Sequence, residues 1–356
     1  MPERILMTGN EAMAEGAIRA GCRYYYGYPI TPQNEVPEYM SRRMPEIGGT
    51  FIQSESELAA INMVLGSAAT GKRAMTSSSS PGVSLKMEGI SYIAGQQLPA
   101  VIANVQRGGP GLGDIGASQA DYFQATKGGG HGDYRLIVLA PASVQEMADL
   151  ATLAFDLADR YRNPVMILAD AQIGQMMEPL VWKDYTPPAD LPAKDWALTG
   201  AKGRAKNIIR SFFLYPGLLE KHNIALQEKY RLIREREVRF EETNVEDADL
   251  VIIAYGSPAR VAKGLVKRGL DNAKIGLMRP ITLYPFPDKR IRELALAGKD
   301  FLVVELSAGQ MVEDVRLAVE GASKVGFYGR LGGAMVTIDE MAQKAKDMLK
   351  SRRASK

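Results

Sequence analysis

The chain has 356 residues, and at ~150 residues per domain this length predicts two domains. Hydrophobic residues make up 46% and charged residues 24%, which are ordinary values for a folded protein and exclude general disorder. The net charge of +3 is too small to indicate nucleic-acid binding. A single cysteine, Cys22, excludes an internal disulfide framework and a four-thiolate iron–sulfur cluster built by this chain alone. Two histidines argue against a histidine-rich metal site.

Secretion and membrane signals are absent from the sequence. The first seven residues include an acidic side chain and lead directly to the polar Gly9-Asn10, without the long apolar core of a signal peptide. No apolar run approaches the ~18 residues that a membrane-spanning helix needs. We therefore expect a cytoplasmic protein that does not contact the membrane.

The first half of the chain alternates short apolar runs with helical patterns, which is typical of parallel strands connected by helices. Leu58, Ile61 and Leu65 recur at helical spacing, and Ser143 with Glu146 predicts a capping box that opens a helix to about Leu157. The predicted strands are Tyr24–Gly27, Arg73–Ser77, Ala100–Val105, Arg135–Ala140 and Pro164–Asp170. Residues 1–178 are thus predicted to form an open, doubly wound α/β domain.

The pattern changes after Glu178, where prolines interrupt regular structure. A densely charged stretch at 218–242 carries Leu226, Tyr230 and Ile233 at helical spacing, so we interpret residues 179–245 as a connecting segment with one long helix. Residues 246–356 predict a second, smaller and parallel α/β domain. Its predicted elements are strands at 250–256, 274–277 and 301–305 and helices at 258–268 and 311–321.

Ligands of open α/β sheets bind at the carboxyl ends of the strands, so the loops after the strands carry the candidate chemistry. In the first loop, Thr31 suits a helix N-cap and Pro32 a first helical position, and a rigid turn is the plain alternative to ligand binding. In the second loop, Glu57 suits the positive end of a helix, whereas Glu55, one step outside that helix, is freer to point into a cleft.

Two further loops are rich in small residues. Ser77–Gly82 would let a backbone approach a ligand closely, although a flexible turn would look the same. Gln106–Gly113 has the glycines of a phosphate loop but matches neither dinucleotide nor nucleotide motifs. Its Arg107 could bind a carboxylate with two donors, and a surface ion pair is the alternative. His131, in a glycine-rich loop, is more often structural than catalytic.

These loops together resemble a known family. In order and spacing they are similar to the α subunit of the 2-oxoacid:ferredoxin oxidoreductases, and the similarity covers nearly the whole chain. The branched-chain (2-oxoisovalerate) type resembles the chain most, and the 2-oxoglutarate type comes second. The motifs that carry the resemblance are Gly27–Pro32, Gln53–Glu55, Ser77–Gly82, Asn104–Gly111, Leu277–Pro287 and Val304–Val315.

The resemblance implies a thiamine-diphosphate-binding domain of the pyrimidine-binding type, followed by a smaller α/β domain like the carboxyl-terminal domain of transketolase. In such enzymes thiamine diphosphate lies between two chains, and a β subunit binds its diphosphate and Mg²⁺. This chain lacks the Gly-Asp-Gly motif that the family uses there, and His131-Gly132-Asp133 does not replace it. No metal site is therefore expected on this chain.

Individual residues of this chain match the site residues of the family. Glu55 matches the glutamate that hydrogen-bonds the aminopyrimidine ring, where a carboxyl group favours the imino tautomer that removes the thiazolium proton. Thr31 matches the threonine that faces the substrate, and Arg107 the arginine near the substrate carboxylate. The residues expected to line the same cofactor pocket are Tyr28, Pro29, Ser79, Ser80 and Gly82.

The resemblance implies oxidative decarboxylation of a 2-oxoacid to acyl-coenzyme A and CO₂, with coenzyme A as co-substrate and ferredoxin as electron acceptor. Since one cysteine cannot hold 4Fe–4S clusters, these are expected on partner chains, namely a ferredoxin-like δ subunit beside β and a separate γ subunit. Other interpretations are the 2-oxoglutarate enzyme, a thiamine-dependent decarboxylase that passes no electrons to ferredoxin, and a non-catalytic scaffold. A 2-oxoglutarate pocket needs a second cation, for which the sequence offers Arg23, Arg42, Arg43 and Arg73.

Overall fold

The computed structural model describes residues 4–270 and 273–354. Residues 1–3, 271–272 and 355–356, which the predicted domains include, lie outside this part. The strands are β1 (Ile5–Thr8), β2 (Tyr24–Gly27), β3 (Thr50–Gln53), β4 (Ala74–Ser78), β5 (Ala100–Gln106), β6 (Ile137–Leu139), β7 (Pro164–Asp170), β8 (Met177–Leu180), β9 (Phe240–Thr243), β10 (Leu250–Ile253), β11 (Ile275–Pro280), β12 (Thr282–Tyr284), β13 (Asp300–Glu305) and β14 (Val325–Gly329).

Helices alternate with most of these strands. They are α1 (Gly9–Arg19), α2 (Glu35–Glu46), α3 (Glu57–Ala69), α4 (Ser80–Gly95), α5 (Tyr122–Thr126), α6 (Val144–Tyr161), α7 (Ala171–Gln175), α8 (Leu218–Arg236), α9 (Gly256–Arg268), α10 (Asp288–Leu296), α11 (Met311–Val319) and α12 (Ile338–Ala354). No helix in the described ranges is both long enough and apolar enough to cross a membrane.

The larger sheet has seven strands in the order β12-β6-β7-β5-β4-β2-β3. Its strands are parallel except for β12, which runs antiparallel to β6. Every residue of β5 and β7 is buried. This agrees with the unbroken apolar runs in the sequence, which predict a sheet covered on both faces. Two packed helix pairs, α1 with α6 and α3 with α4, cover this sheet. The predicted doubly wound α/β architecture is therefore confirmed.

Local signals explain where α6 begins. Ser143 is its N-cap, and its hydroxyl accepts from the Glu146 N–H at 3.1 Å. The second half of the predicted capping box does not form, because the Glu146 carboxylate accepts from the N–H of Ala142 and from the guanidinium of Arg279. The helix continues to Tyr161, beyond the predicted end near Leu157, and ends where Arg162 adopts a left-handed conformation.

The smaller sheet has five strands in the order β14-β13-β10-β11-β9. It is not purely parallel as expected, because β9 runs antiparallel to β11. The helix predicted over 218–242 ends at Arg236, and Phe240–Thr243 pairs as β9 instead. Leu226, Tyr230 and Ile233 are the buried face of α8, as predicted. The domain boundaries after Glu178 and Val245 stay a prediction.

Polar contacts join the two sheets. Gln119 donates its backbone N–H to Leu306 O at 2.8 Å and its amide to Tyr255 O at 2.9 Å. The Asp170 carboxylate accepts from the N–H of Ile173 in α7 at 3.1 Å and from the N–H of Ser257 in α9 at 2.8 Å. One carboxylate therefore satisfies the starts of two helices, one beside each sheet.

Candidate active site

The predicted loops meet at one edge of the larger sheet. Strands β5, β4, β2 and β3 are neighbours, and parallel strands bring their carboxyl ends to the same edge. The N–H of Ser54 donates to Gly27 O at 2.9 Å, which sets Glu55 beside the loop that starts at Tyr28. The side chains of Tyr28, Pro29 and Glu55 are exposed at this edge.

The loop after β2 differs from the predicted helix start. Helix α2 begins at Glu35 with Asn34 as its N-cap, so Thr31 is not a cap and Pro32 is not the first helical residue. The reason is an extra turn that Gln33 holds in place, since its buried amide accepts from the Ser77 hydroxyl and donates to Tyr28 O. The Thr31 hydroxyl accepts from the Asn34 amide at 3.3 Å.

Arg107 connects two of the loops. Its guanidinium donates to Thr31 O at 3.0 Å and to Leu112 O at 2.8 Å. The side chain is buried, and its Nε has no hydrogen-bond partner among the described residues. Thr31 and Arg107 are therefore in direct contact, with one buried guanidinium N–H unused.

Only Ser79 of the predicted Ser77–Gly82 loop lies outside regular structure, because β4 extends through Ser78 and α4 begins at Ser80. The Ser77–Gly82 loop is therefore a tight β4–α4 turn, and a polar network holds it to the end of β5. The Ser80 hydroxyl accepts from the Arg107 N–H at 3.0 Å and donates to the Asp121 carboxylate at 2.6 Å. The Asn104 amide donates to the same carboxylate at 2.9 Å. Burial raises the pKa of Asp121, and the hydrogen bonds from Ser80 and Asn104 act in the opposite direction.

Gly82 lies where the loop meets α3. A Cβ at this position would come within 2.1 Å of Ser78 Oγ and 2.5 Å of the Glu57 carboxylate. Glu57 itself is buried at the first residue of α3, where the positive helix end favours a carboxylate, as expected. The N-cap of α3 is Ser56, whose hydroxyl accepts from the Ala59 N–H at 3.2 Å. Close packing thus leaves no room for a side chain at position 82.

Several buried polar atoms at this edge lack a partner within the described residues. They are Ser78 Oγ, Ser79 Oγ, Gln106 Nε2 and Arg107 Nε. Buried polar atoms normally form hydrogen bonds, so such a group at one edge of a sheet indicates a site for a polar ligand. Hydroxyl and guanidinium donors and the exposed Glu55 carboxylate lie at the same edge of the sheet, where they can contact a polar ligand.

Other candidate residues lie elsewhere. His131 is exposed against the later turns of α4, where its carbonyl accepts from Ser91 and its ring contacts Tyr92. Arg23 and Arg73 precede β2 and β4, at the opposite edge of the sheet, and donate to backbone oxygens there. Arg73 also pairs with Asp156 and Asp159. None of these residues reaches the loops that hold Thr31 and Arg107.

The remaining two arginines lie on α2. Arg43 pairs with Glu15 and Glu46, and Arg42 lies over the ring of Tyr39. Cys22 is fully buried, and burial raises the pKa of its thiol to about 12, which fits a packing residue. The described residues contain no group of three His, Cys, Asp or Glu side chains arranged as metal ligands.

Sequence reasoning missed three residues that shape this edge. Gln33 fixes the loop after β2, and Asp121 receives the hydroxyl of Ser80. Neither stands out in sequence, because polar residues in loops are common. Lys86 is a third, fully buried in α4 between the apolar residues Val83 and Ile90. A lysine within an apolar helical stripe is a readable signal, since lysine is rarely fully buried without a reason.

The fold, together with two family matches, places the chain in the thiamine diphosphate-dependent α/β class. Residues 15–210 match the family described as pyruvate flavodoxin/ferredoxin oxidoreductase, thiamine diphosphate-binding. Residues 248–341 match pyruvate:ferredoxin oxidoreductase core domain II. The chain belongs to the 2-oxoacid:ferredoxin oxidoreductase family of enzyme subunits.

Named relatives are similar in sequence to nearly the whole chain. Ketoisovalerate oxidoreductase subunit VorB of Methanothermobacter marburgensis is 53% identical over 96% of this chain and 97% of its own length. 2-Oxoglutarate synthase subunit KorA of Methanocaldococcus jannaschii is 36% identical over 94% of this chain and 97% of its own length. The family predicted from the motifs is therefore confirmed.

A solved structure confirms the predicted architecture. The 2-oxoglutarate:ferredoxin oxidoreductase from Magnetococcus marinus, with 2-oxoglutarate, coenzyme A and succinyl-coenzyme A bound, has a TM-score of 0.89 and 28% sequence identity. The match covers 98% of this chain. The chain spans 66% of that solved chain, slightly less than two thirds of its length.

Proposed function

We propose that this chain is the α subunit of a branched-chain 2-oxoacid:ferredoxin oxidoreductase. Such an enzyme converts 2-oxoisovalerate and coenzyme A to acyl-coenzyme A and CO₂ and reduces ferredoxin. The observation that carries the proposal is the 53% identity to a ketoisovalerate oxidoreductase subunit over 96% of the chain, against 36% to a 2-oxoglutarate synthase subunit.

Thiamine diphosphate, when bound, supplies an electron sink for the carbanion that decarboxylation produces. We propose that Glu55 accepts or donates the hydrogen bond at the aminopyrimidine ring, because its carboxyl group is exposed at the cofactor edge. The loop residues proposed to line the cofactor are Tyr28, Pro29, Ser79, Ser80 and Gly82. The unpartnered hydroxyl of Ser79 supports this role, since it can form a hydrogen bond with a polar ligand.

Arg107 and Thr31 are proposed to hold the substrate. Two guanidinium N–H groups of Arg107 are used by backbone oxygens, which fix the plane of the guanidinium, and the unused Nε–H is the donor offered to a carboxylate. The Thr31 backbone is fixed by the same arginine, so the substrate contact proposed for its hydroxyl would come from a constrained loop. Both residues act by positioning the 2-oxoacid for attack at its keto carbon.

The distribution of arginines favours a branched apolar substrate. A 2-oxoglutarate pocket needs a cation for the second carboxylate, and none of Arg23, Arg42, Arg43 and Arg73 reaches the Thr31–Arg107 contact. Part of the pocket is expected to come from a partner chain. The 2-oxoglutarate enzyme therefore stays the second candidate, supported by its 36% identical relatives.

We propose that the partners complete the chemistry in the cytoplasm. A β subunit would bind the diphosphate and Mg²⁺, and a ferredoxin-like δ subunit would carry 4Fe–4S clusters, because one cysteine cannot ligate them. A separate γ subunit and an external ferredoxin complete the set. This arrangement predicts that the α chain alone is inactive.

The test is a panel of 2-oxoacids on the purified complex, measured as coenzyme A-dependent reduction of a dye. We expect 2-oxoisovalerate to give the highest kcat/KM, and a clear preference for 2-oxoglutarate would overturn the substrate assignment. Iron–sulfur absorbance that substrate and coenzyme A bleach would exclude a decarboxylase without electron transfer.

Glu55→Gln tests the cofactor role in the same complex. We expect kcat to fall about 10²-fold or more, in the range of a lost acid–base group. Glu38→Gln is the control, because Glu38 is an exposed carboxylate on α2. Full turnover by the Glu55→Gln complex would contradict the assigned role and would favour the scaffold interpretation.

A further inference from the structure

Lys86 is the residue whose burial the proposed chemistry leaves unexplained. It is 0% exposed and lies one helical turn after Gly82, on the same face of α4. Burying an ammonium group costs free energy unless its hydrogen bonds and charge are matched. The position beneath the cofactor loop therefore needs a reason beyond filling space, which an apolar side chain would do better.

The hydrogen bonds of Lys86 go to the strand that leads into the cofactor loop. Its ammonium donates to Thr76 Oγ1 at 2.9 Å and to Ser77 O at 3.0 Å, both near the end of β4. The Ser77 hydroxyl in turn contacts the Tyr25 hydroxyl and the Gln33 amide oxygen. Lys86 thus supports both the Ser77–Gly82 loop and, through Gln33, the loop that carries Thr31.

The charge of Lys86 is attracted by a carboxylate on α3. Glu57 is the charged group whose field reaches Lys86, and its carboxylate lies against Gly82 at the start of α3. No Lys86–Glu57 ion pair within 4.0 Å forms in the described structure, so the attraction between the two charges acts over a longer distance. Glu55 is two residues before Glu57, at the proposed cofactor contact.

The other groups around Lys86 are uncharged. Thr76 and Ser77 on β4 are neutral, and Tyr25 on β2 stays protonated because burial raises its pKa. Burial lowers the pKa of Lys86 to about 7, and the Glu57 carboxylate acts in the opposite direction. The ammonium can therefore gain or lose its proton near neutral pH, unlike an exposed lysine.

We propose that Lys86 is a positioning residue of the active site, whose ammonium holds the end of β4 under the cofactor loop through its bonds to Thr76 and Ser77. The proposal rests on the proposed function, because that function makes this edge a cofactor site. The effect of Lys86 on cofactor binding, however, does not depend on which 2-oxoacid is the substrate. A residue that only fills space would be replaceable by methionine, which has a similar length and no charge.

The experiment compares Lys86→Met, which removes donor and charge, with Lys86→Gln, which keeps donors and removes charge. Lys72→Met is the matched control, since Lys72 is exposed in the turn after α3. Each variant is assembled with its partner subunits. Binding of thiamine diphosphate with Mg²⁺ is followed by titration, and kcat/KM is measured from pH 5.5 to 9.

We expect Lys86→Met to bind thiamine diphosphate about tenfold more weakly, and Lys86→Gln to recover part of this loss. Burial lowers the pKa of Lys86 to about 7, so kcat/KM of the unaltered complex should fall as the ammonium loses its proton above this pH, and this fall should be absent from both variants. Lys72→Met should match the unaltered complex in both measurements.

Two results would overturn the proposal. One is a pH profile and a cofactor affinity that stay unchanged in both variants, which would make Lys86 a packing residue. The other is failure of both variants to assemble while Lys72→Met assembles, which would assign it to folding alone. Absence of turnover with every 2-oxoacid in the unaltered complex would contradict the proposed function instead, and the cofactor titration would still report on Lys86.

Discussion

The carboxyl edges of the two sheets differ in how their buried polar groups are used. At the smaller sheet, Glu305 is fully buried, and its carboxylate accepts from the Ser307 hydroxyl at 2.8 Å and from the N–H groups of Met311 and Val312 at 3.1 and 3.0 Å. At the larger sheet, the hydroxyls of Ser78 and Ser79 have no partner among the described residues.

A structural sheet edge differs from a functional one in whether its buried polar groups have hydrogen-bond partners within the chain. Helix N-termini supply donors that satisfy Glu305, so this buried carboxylate contributes to folding. Unused buried donors, such as Arg107 Nε, are costly in a folded chain and are retained where a ligand completes them. The same sheet position thus serves stability at the smaller sheet and, in the proposed function, ligand binding at the larger one.

The largest expected effect comes from Arg107→Lys at the functional edge. Lysine has no planar fork, so it loses one backbone contact and the free Nε–H together. We expect kcat/KM for the 2-oxoacid to fall about 10²-fold in the assembled complex. Arg42→Lys on α2 is the control and should change little. A small effect of Arg107→Lys would contradict the proposed difference between the two sheet edges, because the unpartnered Nε–H would then have no role in binding.

Gly82→Ala should have an intermediate effect. The added Cβ would meet Ser78 Oγ at 2.1 Å and the Glu57 carboxylate at 2.5 Å, so the loop must shift. We expect about tenfold weaker binding of thiamine diphosphate and a loss of about 1–3 kcal/mol in the free energy of unfolding. The control is Gly66→Ala in α3, where nothing lies within 4 Å and helix propensity should raise stability by about 0.5–1 kcal/mol. Equal behaviour of the two variants would argue against a tight loop.

Glu305→Gln should have the smallest effect on activity and act on stability instead. The amide NH₂ faces backbone donors, so the free energy of unfolding should fall by about 1–3 kcal/mol, with kcat nearly unchanged. Glu313→Gln, an exposed change on α11, is the control. Loss of turnover without loss of stability would contradict the structural assignment of this edge.

The pH dependence of stability sharpens this test. Burial raises the pKa of Glu305, although its hydrogen bonds act in the opposite direction, so the folded state holds this proton more tightly than the unfolded state. Its contribution is full below the unfolded pKa of about 4.5 and is lost as the pH rises through the higher folded value. Thermal unfolding of the full chain from pH 4 to 8 should show this decline, and Glu305→Gln should lack it.

Much of the fold could be predicted from the sequence because its central strands are unbroken apolar runs. The bounds of β2 and β7 were predicted without error, and β4 and β5 to within one residue. The missed strands β1, β8, β9, β12 and β14 include short edge strands, and their pairing depends on segments distant in the chain. Nothing local distinguishes Phe240–Thr243 from a continued helix until β11 is beside it.

The site was predictable as a set of loops but not in its contacts. The rule for open α/β sheets and the family motifs indicated the edge that brings Thr31 and Arg107 together. The cap assigned to Thr31 was wrong because Gln33 bonds to a different strand, which no local pattern records. Lys86 bonds to Thr76 and Ser77 on the neighbouring strand β4, and these contacts depend on the packing of α4 against the sheet, which no local pattern records.

Asp170 has a mechanical consequence for the whole chain. Its carboxylate accepts from the first turns of α7 and α9 at once, and Gln119 bonds across the same junction. A hinge rotation between the two sheets would break the Asp170–Ser257 and Gln119–Tyr255 bonds together and leave the start of α9 without this acceptor. The junction therefore resists rotation, and in the proposed complex the exchange of a buried ligand would depend on movement of the partner chain.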